Sequence, residues 1–412
     1  MKTIKSLFTS VALIGLVACG GGGSETESDS TSSIPTYTPP TDASCADTTD
    51  VDVDWTKLLE ANATKLSEYK LFKSQCNPTA SPNARGLIYD IPMPLFTDYS
   101  SKYRFIFVPE GETATYSEEE VFEFPEGSVL VKTFSMPAST DERGYDVENI
   151  LETRLLVKLP TGWVSRVYVW DEDKLDATRA RNGDTIVTTL SHDGEISQFN
   201  YGVPQQGDCT RCHQFNPGGT LDIVNNVETE TAYFSPIGPK ARYLNSDYTY
   251  ADSGTENQIQ KWIDEGLLSS AGVPADKSSI LTVPAFSDDV DVETIPTGEL
   301  ESYAKGWLDS NCSYCHRLEG EASNTAFKSL FTTPWTGNEQ EHGACQDPVS
   351  GAGGGGPDRV ITAGSAEDSL VYYRLAATNP TDQMPPLGRA LAHKEGAELI
   401  KRWLDSISYS CD

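Results

Sequence analysis

The sequence predicts an α+β chain in which an antiparallel, β-rich domain precedes an all-α domain. Three observations predict it. β-branched and aromatic runs, bounded by tight-turn signals, fill the stretch from about Leu87 to Pro204. Helical spacing of apolar residues lies on either side of that stretch and is strongest at the end. The 412 residues are 38% hydrophobic and 22% charged, ordinary for a globular protein and enough for two cores.

Phe105-Ile106-Phe107-Val108, Val129-Leu130-Val131 and Leu155-Leu156-Val157 read as strands, and Trp163 to Trp170 continues as a fourth after Pro160-Thr161-Gly162. Asn182-Gly183 and Asp193-Gly194 mark further tight turns. Such local returns imply antiparallel pairing. Before the strands, Trp55, Leu58, Leu59, Leu66 and Tyr69 are spaced as one helix. After them, Thr255 and Gln258 read as a capping box for a helix bearing Ile259, Trp262 and Ile263, which Gly266 ends. Leu300, Tyr303, Ala304, Trp307 and Leu308 form a helix face running into Cys312, and Leu399, Ile400, Trp403, Leu404 and Ile407 form a closing one.

The expected division is 1–18 leader, 19–49 tether, 50–268 β-rich domain, 269–296 acidic linker and 297–412 helical domain. Lys2 and Lys5 followed by an apolar run from Leu7 to Val17 have the form of an export signal, too short for a permanent span. The tether is Gly, Ser, Thr, Pro and acid, with too little apolar surface to repay the entropy of ordering. A formal charge of −30 argues against nucleic acid, whose phosphates need a basic surface. It suits a partner protein with a basic docking face. A solvated, salt-tolerant surface explains the charge equally well.

Nine cysteines divide unevenly. Cys209-Thr210-Arg211-Cys212-His213 and Cys312-Ser313-Tyr314-Cys315-His316 each hold two thiols three residues apart with a histidine directly after. This is the arrangement that covalent haem attachment requires: the thiols add to the vinyl groups and the imidazole becomes an axial ligand of the iron. A four-cysteine zinc site from the same pairs would leave both histidines unexplained. A thioredoxin-like redox pair would need a βαβ setting that the pattern lacks. Two covalently bound c-type haems are the expected cofactors. Of the remaining cysteines, Cys45, Cys76, Cys345 and Cys411 suit two disulfides in an oxidising compartment. Three connectivities are open, and Cys45–Cys76 with Cys345–Cys411 keeps each pair within one domain.

Met384, in Gln383-Met384-Pro385-Pro386, is the expected sixth ligand of the second iron, because a thioether is a soft donor and the prolines hold the loop extended. The alternative is a buried core methionine. The first iron has no comparable partner, so a vacant position is expected there, with His192, Met93 and Met136 as alternatives. Arg242 and Arg389 are candidates for the haem carboxylates or for ordinary surface charges.

Leu16-Val17-Ala18-Cys19 resembles the lipobox of bacterial lipoproteins. The resemblance implies that Cys19 is lipidated, and Gly20 in place of aspartate implies the outer membrane. Pro94-Leu95-Phe96-Thr97-Asp98-Tyr99, Phe124 to Phe134, Gly162-Trp163, Pro236-Ile237-Gly238-Pro239-Lys240 and the two haem motifs resemble a family of bacterial diheme c-type cytochromes often encoded beside parallel β-helix proteins. The position of Met384 before the closing helix is similar to the ligand loop of a class I cytochrome c domain. The β region is weakly similar to the β-sheet cytochromes of the c-prime-beta and lysine-crosslinked group, which implies a haem lying against an antiparallel sheet. Lys132 stands where a crosslinking lysine would be sought, although a lysine at a strand end is ordinarily solvated. Together these features imply an electron relay at the cell envelope. The alternative is a peroxidase-type enzyme with a Met-ligated feeding haem and an open catalytic one.

Overall fold

Residues that alternate along the β-runs divide one antiparallel sheet into two differently used faces. The computed structural model describes residues 34–41, 45, 47–48, 51–60, 62–218, 232–349 and 356–411. The expected leader, Cys19 and most of the tether lie outside the described residues. The fold is mixed: a β-rich antiparallel sheet with helices before and after it.

A short helix α1 (Trp55–Glu60) leads to strands β1 (Leu87–Tyr89), β2 (Ser101–Phe107), β3 (Val129–Pro137), β4 (Glu148–Leu159), β5 (Gly162–Trp170) and β6 (Ala177–Arg179). These six pair in chain order, each antiparallel to the next. Leu159 pairs with Gly162, so Pro160 and Thr161 form a two-residue turn. A separate hairpin joins β7 (Asp184–His192) to β8 (Glu195–Val203) through Asp193 and Gly194. Both turn residues have positive φ, 53° and 78°, as a turn matched to strand twist requires.

One sheet face, with Val131, Leu155, Val157 and Tyr168, packs on Leu58, Leu66 and Phe72 of the N-terminal segment. That segment is not one helix. The chain breaks after α1 and resumes as a single 3-10 turn, Leu66–Tyr69. The backbone of Ala63 bonds instead to two tyrosines: its N–H donates to the Tyr69 hydroxyl at 2.9 Å, and its carbonyl accepts from Tyr168 at 3.0 Å. These tertiary bonds replace the helical ones, and the tyrosines holding them are buried.

Beyond the hairpin come α2 (Cys209–His213), the paired β9 (Gln214–Phe215) and β10 (Tyr233–Phe234), α3 (Ala241–Leu244), the hairpin of β11 (Asp247–Tyr250) and β12 (Gly254–Asn257), and α4 (Gln258–Asp264). The cap of α4 is Asn257, whose side chain accepts from the Gln260 N–H, and not Thr255. Thr255 is held in β12 opposite Thr249. Gly266, at φ 68°, lies just past the end of α4. The chain ends with α5 (Leu300–Asn311), α6 (Leu370–Ala376) and α7 (Lys394–Ser406).

The largest core joins Tyr89 and Trp262 to Trp307, Leu308, Leu399 and Trp403. It also takes in Ile280, Val283, Phe286, Val292 and Ile295 from the acidic stretch 269–296, which is therefore packed along its length. Contacts unite residues 34–412 in one unit. Cys45 is bonded to Cys76 and Cys345 to Cys411, with Cα atoms 5.5 Å apart in each pair. Closing loops with separations of 31 and 66 residues is worth about 4 kcal/mol each on the chain-entropy model.

Asp309, fully buried on α5, holds this arrangement at its centre. It forms an ion pair with Arg242 of α3 at 2.8 Å, accepts from the Tyr243 hydroxyl and accepts from the Phe331 N–H at 3.0 Å. Burial alone would raise its pKa, but the Arg242 and Lys240 charges and the bonds from Arg242 and Tyr243 hold it well below the usual range. A depressed carboxylate stabilises the fold above its unfolded pKa of about 3.9 and loses that contribution as pH falls. Asp309→Ala should cost about 3–5 kcal/mol in urea denaturation, because it leaves Arg242 buried and unpaired. Acid sensitivity of the wild-type protein should set in below about pH 4 and be weaker in the variant.

Candidate functional site

The first motif forms the whole of α2, so Cys209, Cys212 and His213 are presented by one helical turn and the residue beyond it. The His213 Nδ1 lies 2.8 Å from the Ser235 carbonyl. A carbonyl only accepts, so Nδ1 carries the hydrogen and Nε2 is left with its lone pair. The ring stacks on Phe234 at a centroid distance of 4.7 Å. In the second motif the His316 Nδ1 lies 3.1 Å from Thr325 Oγ1, whose own hydrogen goes to the Ala322 carbonyl at 2.8 Å. Thr325 therefore accepts from His316, and Nε2 is again free. Burial pushes both imidazoles down to about 4, so both are neutral near pH 7. A fixed tautomer with a free, neutral nitrogen is the state a metal ligand needs.

Each histidine lines its own cavity. The first, of about 190 Å³, lies between the motif and the second face of the sheet, where Leu130, Lys132, Phe134, Arg154, Leu156 and Val167 line it. The second, of about 110 Å³, is walled by Cys312, His316, Phe327, Leu370, Leu375 and Met384. Met384 thus shares a cavity with His316. Its loop also reaches the first cavity through Leu387 and Gly388. Tyr314, from within the second motif, lines the first cavity as well.

The motifs adjoin one another. Cys315 Sγ donates to the carbonyl of Arg211, the residue before Cys212, at 3.2 Å, which brings the Cys212 and Cys315 thiols close together. A shared four-cysteine metal site nevertheless does not form. Among the described residues, the one group of three or more His, Cys, Asp or Glu ligand atoms lying within 4.8 Å of one another is His192, Asp193 and Glu395. Cys209, Cys212 and His213 instead line the first cavity, and Cys312 and His316 the second.

The cavity charges complement a planar ligand bearing carboxylates. Arg104, Lys132 and Arg154 stand side by side on adjacent strands of the sheet. Like charges placed directly opposite destabilise a sheet unless an anion meets them. Asp90 pairs with Arg104 and Glu152 with Arg154. The Lys132 ammonium lies 4.7 Å from the Phe134 ring centroid, and no carboxylate lies within ion-pair distance of it among the described residues. Burial, then the neighbouring Arg104, Lys102 and Arg154, hold its pKa well below the usual range. Arg104 Nη2 and, at the second cavity, Arg374 Nε are buried without a hydrogen-bond partner. Thiols for attachment, a free imidazole nitrogen and unmet cations are the groups a haem with two propionates would engage. The residues fit the cofactor.

Several candidates lie elsewhere. His192 bonds to Glu395 at 2.9 Å and stacks on Tyr99, away from the first cavity. Met93 is buried beside Gly306, and Met136 packs in a separate core with Phe96 and Leu151. Arg242 is committed to Asp309, and Arg389 donates to the Leu391, Arg374 and Ala377 carbonyls. Lys132, read as a solvated strand-end lysine, instead faces the first cavity. Its period-two spacing with Leu130 and Phe134 carried that signal. Nothing in the sequence marks Ser235 or Thr325 as the groups that orient the histidines.

No protein-family model, curated protein or solved structure matches this chain.

Replacing Met384 with alanine should lower one redox potential of the haem-loaded protein and abolish the methionine–iron charge-transfer absorption, leaving the other potential in place. Axial ligands move haem potentials over about 0.8 V, so voltammetry resolves the change. An unaltered spectrum would mean that Met384 is not a ligand of any iron held at His316.

Proposed function

We propose that this chain is an exported diheme c-type cytochrome that relays electrons at the cell envelope. One observation carries the reading: two attachment motifs that serve separate cavities while their Cys212 and Cys315 thiols meet. When bound, the haems supply one-electron chemistry. Cys209 and Cys212 would hold one and Cys312 and Cys315 the other, with His213 and His316 as proximal ligands. Met384 would complete the second iron, stabilise its reduced state and so make that site the higher-potential one. The nearness of Cys212 to Cys315 would put the two attachment points side by side, with Tyr314 beside them.

Residues 297–412 are on this reading an all-α class I cytochrome c domain. The order of α5 into Cys312, Met384 before α7, and α7 at the end supports it. Cys19 would anchor the chain by lipid, with the outer membrane the favoured address, and the tether would give the haem-bearing part its reach. The charge of −30 favours a redox partner with a basic docking face. The described residues contain no helix long and apolar enough to cross a membrane.

The first cavity favours a second reading. Among the described residues, neither histidine nor methionine lines it apart from His213, and Lys132 is the amine that faces it. An iron there with a vacant sixth position would suit a peroxidase-type enzyme fed by the Met384 site. Carbon monoxide separates the cases. A relay with a vacant first site should bind about one carbon monoxide per reduced chain and turn over negligible peroxide with an artificial donor. An enzyme should turn over peroxide and lose turnover in Met384→Ala. Failure of carbon monoxide to bind, with binding restored by Lys132→Ala, would show that Lys132 fills the position and would remove the peroxidase reading.

A further inference from the structure

The cluster formed by the β7–β8 turn and the start of α7 has no part in either cavity. His192 ends β7 and Asp193 follows in the turn; Glu395 lies in the first turn of α7. His192 and Glu395 are buried or nearly so, with side-chain exposures of 7% and 11%. His192 Nε2 is 2.9 Å from Glu395 Oε1 and 3.3 Å from Asp193 Oδ2. The other ring nitrogen lies 3.0 Å from Thr140 Oγ1, which fixes the plane of the imidazole. Tyr99 donates to the second Glu395 oxygen at 3.1 Å.

These spacings are those of ligands around one ion. Nitrogen and oxygen ligands about 2.0–2.2 Å from a divalent ion, at angles between octahedral and tetrahedral, stand about 2.8–3.6 Å apart. Partners that orient two of the three ligands are also in place, Thr140 for His192 and Tyr99 for Glu395.

A second observation points into the same space. His393, 7% exposed, has a buried Nε2 without a hydrogen-bond partner. The Trp307 indole donates to its Nδ1 at 3.0 Å, and an indole can only donate. With Nδ1 accepting, the ring hydrogen lies on Nε2, which stands 3.3 Å from Asp288 Oδ1 and 3.4 Å from Glu395 Oε2, neither of them aligned as an acceptor. A solvent ligand on an ion held at Glu395 would supply one.

We propose that His192, Asp193 and Glu395 bind a divalent transition-metal ion of the zinc or manganese class. One imidazole and two carboxylates suit borderline ions rather than soft ones. The ion joins the β7–β8 hairpin to α7, and so ties that hairpin to the last helix. The site is independent of the haem reading.

The test uses the full-length, haem-loaded protein after chelator treatment, with Zn²⁺ and then Mn²⁺ titrated by calorimetry and retained metal counted by mass spectrometry. Wild-type protein should bind about one ion of at least one of the two and melt at a higher temperature with it. His192→Ala and Glu395→Gln should each weaken binding at least about tenfold. Asp289→Asn, on the acidic surface outside the cluster, should leave it unchanged. Glu395→Gln keeps the size of the side chain and carries the test if His192→Ala fails to fold. Wild-type protein that retains neither ion, or binding equal in wild type and both cluster variants, would overturn the proposal and leave the cluster a network of protons alone.

Discussion

Asp309 sits where a buried charge is hardest to keep, three residues before Cys312 and fully enclosed. Its partners come from three parts of the chain: Arg242 and Tyr243 on α3, Phe331 beyond the second motif, and Ser313 inside it through the Asp309 carbonyl at 2.6 Å. Arg242 in turn donates to the Glu119 carbonyl ahead of β3. The stretch leading into α3, Pro236 to Pro239, forms a wall of the first cavity. One carboxylate therefore sets the distance between that wall and the helix that delivers the second motif. A buried pair of this kind contributes little net stability over an apolar replacement, but it penalises every arrangement in which its partners are apart.

That constraint explains why motifs about a hundred residues apart end as neighbours. α5 runs into Cys312 and places Ser310 and Tyr314 against the first cavity, while Met384 and Leu387 of one loop face different cavities. The sheet supplies the remaining wall. Its N-terminal face is apolar and filled, whereas its other face carries Arg104, Lys132 and Arg154 across three strands. A protein with a net charge of −30 has thus gathered cations at one interior surface. Concentrating positive charge there lowers the cost of burying an anionic cofactor beside an acidic exterior.

Much of this was legible in the residues themselves. The turns at Pro160-Thr161 and Asp193-Gly194, the four strands around them, and the helices ending in Cys312 and in Ile407 follow from periodicity and turn chemistry. The two motifs and the Met384 loop need only local spacing. What escaped was tertiary. The helix expected from Trp55 to Tyr69 is cut because two buried tyrosines take the Ala63 backbone. The cap of α4 moved to Asn257 because β12 claims Thr255. The acidic stretch after Ser269 looked like a linker because its apolar residues are spaced too widely for any period, yet Ile280, Val283 and Phe286 each find the common core. The meeting of Cys212 with Cys315, and of His192 with Glu395, depends on chain segments that carry no local sign of each other.

The central claim is that each motif carries its own covalent cofactor. Intact-mass spectrometry of the denatured protein, produced with a cytochrome c maturation system, tests it directly. The account predicts a polypeptide heavier by two haem groups, with Cys209, Cys212, Cys312 and Cys315 all refractory to thiol alkylation. A chain of bare polypeptide mass, with these four cysteines alkylated and zinc recovered from the native protein, would contradict it.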